Sequence, residues 1–436
     1  SASFTPRRSL VRFQYRPPQY PHTRSTAPAR RRVLLYRPTQ QQTHTQNRHL
    51  TMDAVTVSVQ LSRFGAPMCL MGMSPTHRTT IVIIGAGYAG IMAANRIASH
   101  PMATALTRVR LISASAHLVE RIRLHEALLA EEDPIRPLSE LLNPAVDVIT
   151  GHAASIDRRR GVVHLSDGDP VPFDQVVLAT GSTGQAPDGA WPISGIADLQ
   201  PLRDELVGSS HTRIRVVGGG LTGIETAAEL AEQGFDVEIV DSGTVGSHLG
   251  VRARKQASRQ LRRLGCTVTD NHMCQPEPGM LTIWAAGFAP VTVPCDPPVS
   301  TSSDGRIVVN RFLRSPDDPR ITAIGDCAAP PASHLRPSCA SALSLGAVAA
   351  DILISGVLKT PAPSNTGVGY VMRCVSLGRN RGLVEHVSPD DIPNGSILTG
   401  TEARRVKDWV MDRTTQWLIE EAQRSGSYRI VRGPAQ

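Results

Sequence analysis

The chain has 436 residues, of which 41% are hydrophobic and 19% charged, and its formal net charge is +8. This length predicts about three domains with sizeable cores, and the composition excludes wholesale disorder and a coiled coil. No run of about 18 uncharged apolar residues occurs, because the longest candidate, 337–350, stops at Asp351. A membrane-spanning helix is therefore not expected.

The net positive charge comes from one end of the chain. Residues 1–70 carry a net charge of +10, so the other 366 residues sum to −2 and lack the charge pattern of a nucleic-acid-binding protein. Only three residues are Lys, against 43 Arg, which indicates GC-rich coding. The seven Cys are odd in number and form no C-x-x-C pair, which argues against a disulfide framework or a metal site. We expect a reducing, cytoplasmic location.

Residues 1–75 are predicted to be a disordered basic leader or an over-extended start, because they mix Arg, Pro, Gln and Thr with no apolar period. An organelle transit peptide is one origin. A twin-arginine export signal is disfavoured, since no apolar region follows Arg7-Arg8. We favour a reading frame extended beyond a true start at Met71 or Met73, just ahead of the first predicted strand.

A glycine-rich turn follows that first strand. Residues 79–84 form a β-branched run typical of a buried parallel strand, and 91–98 are predicted to be helical. Between them the G-x-G-x-x-G pattern provides the candidate cofactor residues Gly85, Gly87, Tyr88, Ala89 and Gly90. In this context the glycines allow a tight turn, close approach of a pyrophosphate and close helix packing, and the helix N-terminus attracts phosphate.

The same pattern occurs a second time, between a predicted strand at 213–217 and a predicted helix at 224–233. Its candidate cofactor residues are Gly218, Gly220, Leu221, Thr222 and Gly223. Two dinucleotide fingerprints in one chain indicate two nucleotide sites.

The strands that follow the two turns differ at their ends. Asp241 lies 18 residues after Gly223, where an acid bonds the adenosine ribose, although a simple turn acid is an alternative. A carboxylate there repels a 2′-phosphate, so NADH is predicted over NADPH, while Arg252 and Arg254 keep NADPH open. In the first copy the corresponding residue is Ser113, which could still bond a ribose.

Further apolar strands end in small-residue turns. The candidate cofactor residues in these turns are Thr180 and Gly181 after 173–178, Gly287 after 282–284, and Gly325 and Asp326 after 320–324. With both fingerprints, these motifs make residues 79–354 resemble the pyridine-nucleotide-dependent flavoprotein oxidoreductases, most closely the type II NADH dehydrogenase branch. The resemblance implies an α/β fold of two Rossmann-like dinucleotide-binding domains, with the NAD domain inserted in the FAD domain, plus a small C-terminal α+β domain. The implied bounds are 76–200 and 288–360 for the FAD domain, 201–287 for the NAD(H) domain and 361–436 for a C-terminal interface domain.

The resemblance also implies roles for single residues. Asp326 would bond the ribityl chain of FAD, and a helix starting near Pro337 would point its N-terminus at the flavin, where it stabilises the anionic reduced ring. Glu225 would lie near the nicotinamide as the catalytic residue, although Thr222 and Glu225 also match a capping box. Arg121 and the adjacent pair His125-Glu126 fall where related enzymes approach the flavin, but a solvated helix face is the favoured alternative.

The absence of Cys and Gln at particular places limits the kinds of electron acceptor that the protein could use. No Cys occurs between Gly90 and Cys266, so a flavin-to-dithiol relay is excluded and the acceptor must be external. The type II branch carries Gln near its quinone, whereas 338–347 has none; Cys339 there is either inert or tunes the flavin. The sequence thus predicts an FAD-dependent NADH oxidoreductase with a quinone or other small acceptor. A ferredoxin or rubredoxin reductase and a regulatory flavoprotein resembling apoptosis-inducing factor remain alternatives.

Residues 361–436 begin with a Pro-rich linker and would form the third domain. The stretch 401–425 is predicted to be helical, with Val406, Trp409, Val410 and Trp417 on one face. Basic and acidic residues balance in this helix, so packing on the flavin domain is favoured over a membrane surface. A homodimer and peripheral contact with the inner face of a membrane both stay open.

Overall fold

The computed structural model describes residues 78–130, 132–208 and 213–434, so the prediction for residues 1–75 lies outside the described residues. Contacts divide the chain after Leu70, and all elements below belong to the unit Met71–Gln436. The helices are α1 (Tyr88–Ala98), α2 (Ala103–Leu106), α3 (Leu124–Ala127), α4 (Leu138–Leu141), α5 (Ile196–Gly208), α6 (Leu221–Glu232), α7 (Val251–Arg263), α8 (Cys339–Leu358) and α9 (Thr401–Gln423), with 3-10 turns at Arg121–Arg123 and Gly325–Cys327.

The strands are short, and most lie in parallel sheets. They are β1 (Thr79–Ile84), β2 (Thr107–Ser113), β3 (His117–Val119), β4 (Ile135–Pro137), β5 (Asp147–Thr150), β6 (Ala153–Asp157), β7 (Val162–Leu165), β8 (Val171–Pro172), β9 (Gln175–Leu178), β10 (Ser182–Gly184), β11 (Trp191–Pro192), β12 (Ile214–Val217), β13 (Val237–Val240), β14 (Thr267–Thr269), β15 (Leu281–Trp284), β16 (Phe288–Pro290), β17 (Cys295–Asp296), β18 (Ile307–Val308), β19 (Ile321–Ala323), β20 (Ala328–Ala329), β21 (Met372–Ser376), β22 (Gly382–Val387) and β23 (Pro393–Gly400).

Two five-stranded parallel sheets have matching strand orders. The first runs β19-β9-β1-β2-β5 and the second β11-β15-β12-β13-β14, so the strand before each glycine turn is central in its sheet. The second sheet is formed entirely between β9 and β19 of the first, which confirms the α/β fold with one nucleotide-binding unit inserted in the other. The domain bounds stay predictions; pairing places β11, inside the predicted range 76–200, in the second sheet.

The longest apolar helix is a core element. The uncharged run does stop at Asp351, but α8 continues past this residue to Leu358. Its 20 residues make it long and apolar enough to cross a membrane by length and composition. However, 72% of its apolar window is buried. Asp351 is accommodated because its carboxylate pairs with Arg96 of α1 at 2.7 Å. Within the described residues, α8 thus packs as the central helix of the first unit, by which we mean the first five-stranded sheet and the helices packed with it. The second five-stranded sheet and its helices form the second unit.

The C-terminal segment contacts both cores. The buried apolar residues form two cores, one around each five-stranded sheet. Val375 and Leu383, in the antiparallel sheet β21-β22-β23, pack in the core of the second sheet, whereas Leu418 of α9 packs in the core of the first. The predicted apolar face of this helix is not the buried one, since Trp409 is 46% exposed. The buried residues of α9 are Ala403, Lys407, Met411, Thr414, Thr415, Leu418 and Glu421. Hydrophobic periodicity misidentified the face because several buried positions are polar and paired.

Glu421 anchors α9 to the first unit. Its carboxylate lies 3.3 Å from Arg96 and accepts hydrogen bonds from the backbone N–H groups of Gly426 and Tyr428 at 2.6 and 2.7 Å. The side chain is fully buried, so removing it leaves these two N–H donors without their acceptor and leaves Arg96 with Asp351 as its remaining acidic partner.

We expect Glu421→Ala to lower the free energy of unfolding by about 2–4 kcal/mol, because two buried N–H donors lose their acceptor and Arg96 loses one of its two acidic partners. The neighbouring Glu420→Ala is the matched control: Glu420 pairs with Arg413 on the surface, so about 1 kcal/mol or less should be lost. Urea denaturation followed by circular dichroism measures both, and equal losses would contradict the anchoring role.

Candidate functional site

The first glycine turn is a tight connection of three residues between β1, which ends at Ile84, and α1, which begins at Tyr88. The predicted helix start at Ile91 was three residues late, because Gly87 caps the helix and its carbonyl accepts the Ile91 N–H at 3.0 Å. A Cβ on Gly85 would lie 2.4 Å from the Ala179 carbonyl oxygen, and one on Gly90 would lie 1.9 Å from that of Gly85. These two positions therefore require glycine, as the fingerprint predicts.

Gly87 differs, because no atom lies within 4 Å of the position that its Cβ would take. The backbone thus faces open space at the start of α1. The N–H groups of Tyr88, Ala89 and Gly90 belong to the first helical turn and have no acceptor inside the helix. Open space beside free N–H groups and a helix N-terminus suits a phosphate.

The second turn repeats this geometry. A Cβ on Gly218 would meet the Ala285 carbonyl group at 2.8 Å, one on Gly223 would meet the Gly218 carbonyl oxygen at 1.8 Å, and Gly220 faces open space. The helix α6 again begins earlier than predicted, at Leu221, so Leu221, Thr222 and Gly223 present the free N–H groups.

The turns after β9 and β15 lie next to the two glycine turns, because β9 pairs with β1 and β15 pairs with β12. Gly181 and Gly287 follow β9 and β15, have φ of +71° and +75°, and have no atom within 4 Å of a Cβ position. Thr180 donates its hydroxyl to the Val291 carbonyl, and the Val291 N–H donates to the Gly181 carbonyl at 2.9 Å. Each glycine turn thus has a second turn alongside it at the same edge of its sheet.

Asp241 reaches the second glycine turn directly. Its carboxylate accepts the Gly219 N–H at 2.6 Å and the Gly243 N–H at 2.7 Å. Both the ribose position and the alternative turn role are compatible with these bonds, because a carboxylate has further lone pairs. Ser113, by contrast, is buried and donates to the Ser115 carbonyl at 2.7 Å, within its own loop.

Arg121 and Asp326 meet at Ser182. The Ser182 hydroxyl donates to the Asp326 carboxylate at 2.8 Å, and Arg121 donates to the Ser182 carbonyl at the same distance. The Arg121 guanidinium also lies 5.6 Å from the centre of the Phe288 ring. Burial lowers the pKa of Arg121, and Asp326 and Tyr88 oppose this effect. The favoured alternative of a solvated helix face was therefore wrong for Arg121, which lies between the two sheets' strand-end turns.

The N-terminus of α8 lies beside Asp326. The helix begins at Cys339, close to the predicted Pro337, and Ser338 caps it by accepting the Ser341 N–H at 3.2 Å. Asp326, Pro337 and Ser341 line the same small cleft, together with Gly325 and Arg336. Burial raises the pKa of the Cys339 thiol to about 11, so it is a neutral thiol at pH 7, in keeping with an inert role.

Glu225 is not part of a capping box, and that alternative was wrong. Gly220 caps α6 without a side-chain bond, while Glu225 turns towards the C-terminal segment. Its Oε1 lies 2.8 Å from Lys407 Nζ of α9 and accepts the Ser376 N–H of β21 at 3.0 Å. His125 Nδ1 lies 3.8 Å from Oε2. We call Glu225, Lys407, His125 and Ser376 the buried cluster.

The charges of the buried cluster follow from its contacts. Burial alone would raise the pKa of Glu225, but Lys407 and His125 hold it below its usual value. Burial would lower the pKa of Lys407, yet Glu225 raises it above the usual value. Burial lowers the pKa of His125 to about 4 despite Glu225, so His125 is neutral at pH 7 and bonds Ser376 Oγ through Nε2 at 2.9 Å. A solvated face was thus wrong for His125 as well.

Sequence reasoning missed Lys407, Ser376, Ser182 and Phe288 as neighbours of the candidate site. One signal was available: Lys407 is one of only three Lys in an Arg-dominated chain, in line with buried Ala403 and Met411 on α9. Ser376 and Ser182 carry no such signal, because their roles depend on long-range contacts.

Comparison with known proteins places the chain among reductases. It is 29% identical over 296 residues to the NADH dehydrogenase-like protein Rv1812c of Mycobacterium tuberculosis, covering 58% of this chain and 73% of the relative. The protein YutJ of Bacillus subtilis, also NADH dehydrogenase-like, is 26% identical over 43% of this chain, and the match spans 59% of its length. Rubredoxin-NAD(+) reductase of Pseudomonas putida is 28% identical, over 57% of this chain and 71% of that protein.

Solved structures share the fold. The sulfide:quinone oxidoreductase of Aquifex aeolicus matches with a TM-score of 0.67 at 18% identity, over 80% of this chain and 93% of that one. NDH2 from Plasmodium falciparum matches with a TM-score of 0.64 at 13% identity, over 80% and 98%. The model of the pyridine nucleotide-disulphide oxidoreductase family covers residues 79–346, which include both glycine turns, Glu225 and Asp326. The chain belongs to the pyridine nucleotide-disulphide oxidoreductase family.

Proposed function

We propose that this protein is an FAD-dependent NADH oxidoreductase that reduces a quinone or another small acceptor in the cytoplasm. One observation carries the proposal: the same glycine geometry, with a middle glycine facing open space, occurs twice in one chain. A bound flavin would supply the hydride chemistry, accepting from NADH and passing electrons onward. The protein's own contribution is to bind, orient and electrostatically stabilise the two nucleotides.

The residues of the first unit fit FAD. Gly87 leaves room for a pyrophosphate beside the N–H groups of α1, and Asp326 is available on the neighbouring strand end. The Tyr88 hydroxyl is buried with no hydrogen-bond partner in the described part of the chain, so a bound group could satisfy it. Arg121 would supply positive charge at the same edge.

The second unit fits NADH better than NADPH. Asp241 places a carboxylate against the Gly219 N–H, where a 2′-phosphate would be repelled. Arg252 is exposed, and Arg254 packs its stem against Gly246, so neither arginine pairs with Asp241 in this structure. Glu225, held by Lys407 and Ser376, would be the fixed polar group near the nicotinamide.

A protein acceptor is the second candidate. Rubredoxin-NAD(+) reductase is close to the NADH dehydrogenase-like proteins in its identity to this chain and in the share of the chain that it covers, so it supports a redox-protein acceptor as well. Steady-state assays distinguish the two, because a quinone reductase turns over with soluble quinones and a redox-protein reductase needs its protein partner.

Anaerobic addition of NADH, and separately NADPH, to the purified chain tests the proposal. We expect NADH to bleach the oxidised-flavin absorbance at least tenfold faster than NADPH, because of Asp241. Protein without flavin would contradict the cofactor assignment. Bound flavin that NADH does not bleach would favour the regulatory flavoprotein instead.

Gly87→Val tests the first site. Gly87 has an extended backbone with φ of −82° and space for a side chain, so the variant should fold at a cost of about 1 kcal/mol for the helix cap. We expect FAD content to fall at least tenfold, because the side chain fills the approach of the pyrophosphate. Gly220→Val is the matched control: FAD should stay bound, while the NADH concentration for half-maximal bleaching rises at least tenfold.

Lys407→Met should leave the Glu225 carboxylate buried without its cation. We expect a loss of about 3–5 kcal/mol in the free energy of unfolding, and a similar loss for Glu225→Gln, which strands the ammonium. The double variant should recover most of the loss, since both buried charges are then gone. A double-mutant cycle in urea measures the coupling, and strictly additive losses would show that the two side chains do not interact.

A further inference from the structure

The helix α7 combines six basic residues with no acidic one. In its 13 residues the basic positions are Arg252, Arg254, Lys255, Arg259, Arg262 and Arg263. No other helix that the structure describes has this composition. The sum of charges over the chain hides this helix, because residues 71–436 come to −2 and everything in that range outside α7 therefore comes to −8.

Packing fixes which side of α7 faces solvent. Ala253, Ala257 and Leu261 are buried in the second core. Five basic side chains are exposed on the remaining surface: Arg252, Lys255, Arg259, Arg262 and Arg263. Their spacing of three or four residues places them along one outward face, about 16 Å long at 1.5 Å per residue. We call these five residues the basic stripe.

The basic stripe has no internal counter-charge. None of its five residues forms an ion pair with an acid anywhere in 78–130, 132–208 or 213–434. Elsewhere exposed arginines do form ion pairs, as Arg136 does with Glu120 at 2.7 Å and Arg108 with Asp147 at 3.2 Å. Lys255 and Arg259, four residues apart, repel each other and destabilise the helix. Folding does not require this arrangement, so an external anion is its natural partner.

Two exposed aliphatic residues flank the beginning of the stripe. Val251 is 61% exposed and Ile392 59% exposed. Their chain segments are in contact, because a Cβ on Gly250 would lie 2.9 Å from Cβ of Pro393. The Gly250 N–H also donates to Glu385 of β22 at 2.9 Å, which fixes this contact. Basic charge therefore lies beside a small apolar tip.

We propose that the basic stripe docks on an anionic phospholipid surface, with Val251 and Ile392 entering the headgroup boundary. A straight stripe on a convex helix fits a flat surface of phosphates, which guanidinium groups bind in bidentate fashion. Basic clusters on a helix are attracted to anionic leaflets, and buried apolar groups add to this attraction. The −8 charge of the rest of the range 71–436 is repelled, so only this side would face the lipid.

Sedimentation of the full chain with vesicles tests the surface separately from any enzyme activity. We expect binding to vesicles that contain phosphatidylglycerol and not to pure phosphatidylcholine. The variant R259Q/R262Q/R263Q should lower the partition coefficient on the order of 100-fold, since each of the three basic residues contributes roughly fivefold. Circular dichroism checks that the variant folds, and removing like-charge repulsion should not destabilise it.

Two matched controls each remove three charges. In R159Q/R160Q/R311Q the exposed arginines lie in turns remote in sequence from α7, and in R30Q/R31Q/R32Q they belong to the basic N-terminal segment. Both should keep at least a third of native binding. If either control loses as much binding as the α7 variant, or the α7 variant binds as the native chain does, the proposal is wrong. Binding of a labelled duplex oligonucleotide in preference to vesicles would overturn it in favour of nucleic acid.

Discussion

The ion pair between Glu225 and Lys407 is the contact on which the candidate site depends. It joins the helix that begins at the second glycine turn to the last helix of the chain. Two opposite charges in a buried setting are stable only together, so each fixes the position of the other. Ser376 of β21 donates its N–H to Glu225, and the Ser376 hydroxyl is hydrogen-bonded to the neutral His125 of α3. The helices α3, α6 and α9 and the strand β21 are thus all linked to this buried ion pair.

Around this pair, the two units share the same local geometry at their glycine turns. Each central strand ends in a turn whose outer glycines are enclosed by backbone and whose middle glycine is open. The enclosure explains why the motif tolerates no side chain at two positions. The open position explains why a ligand can approach the backbone there. Asp326 and Asp241 distinguish the surroundings of the two turns, because Asp326 accepts from Ser182 and Asp241 accepts from the glycine turn itself.

The fold class and both turns could be predicted from the sequence, because parallel strands, glycine fingerprints and their helices are local patterns. The buried face of α9 could not, since its inner positions include Lys407 and Glu421, whose burial depends on partners far along the chain. Arg121 and His125 were assigned to a solvated face for the same reason. The basic stripe was hidden by summing charge over the whole chain, whereas its orientation comes from the packing of Ala253 and Leu261.

The two anchors of α9 act on different units. Glu421 is held by Arg96 of α1, and Lys407 is held by Glu225 of α6, about four helical turns away along the same rod. A stiff helix fastened at both points limits hinge rotation between the two units. The relative orientation of the two units is then restrained by the last helix of the chain, whether or not the glycine turns hold a ligand.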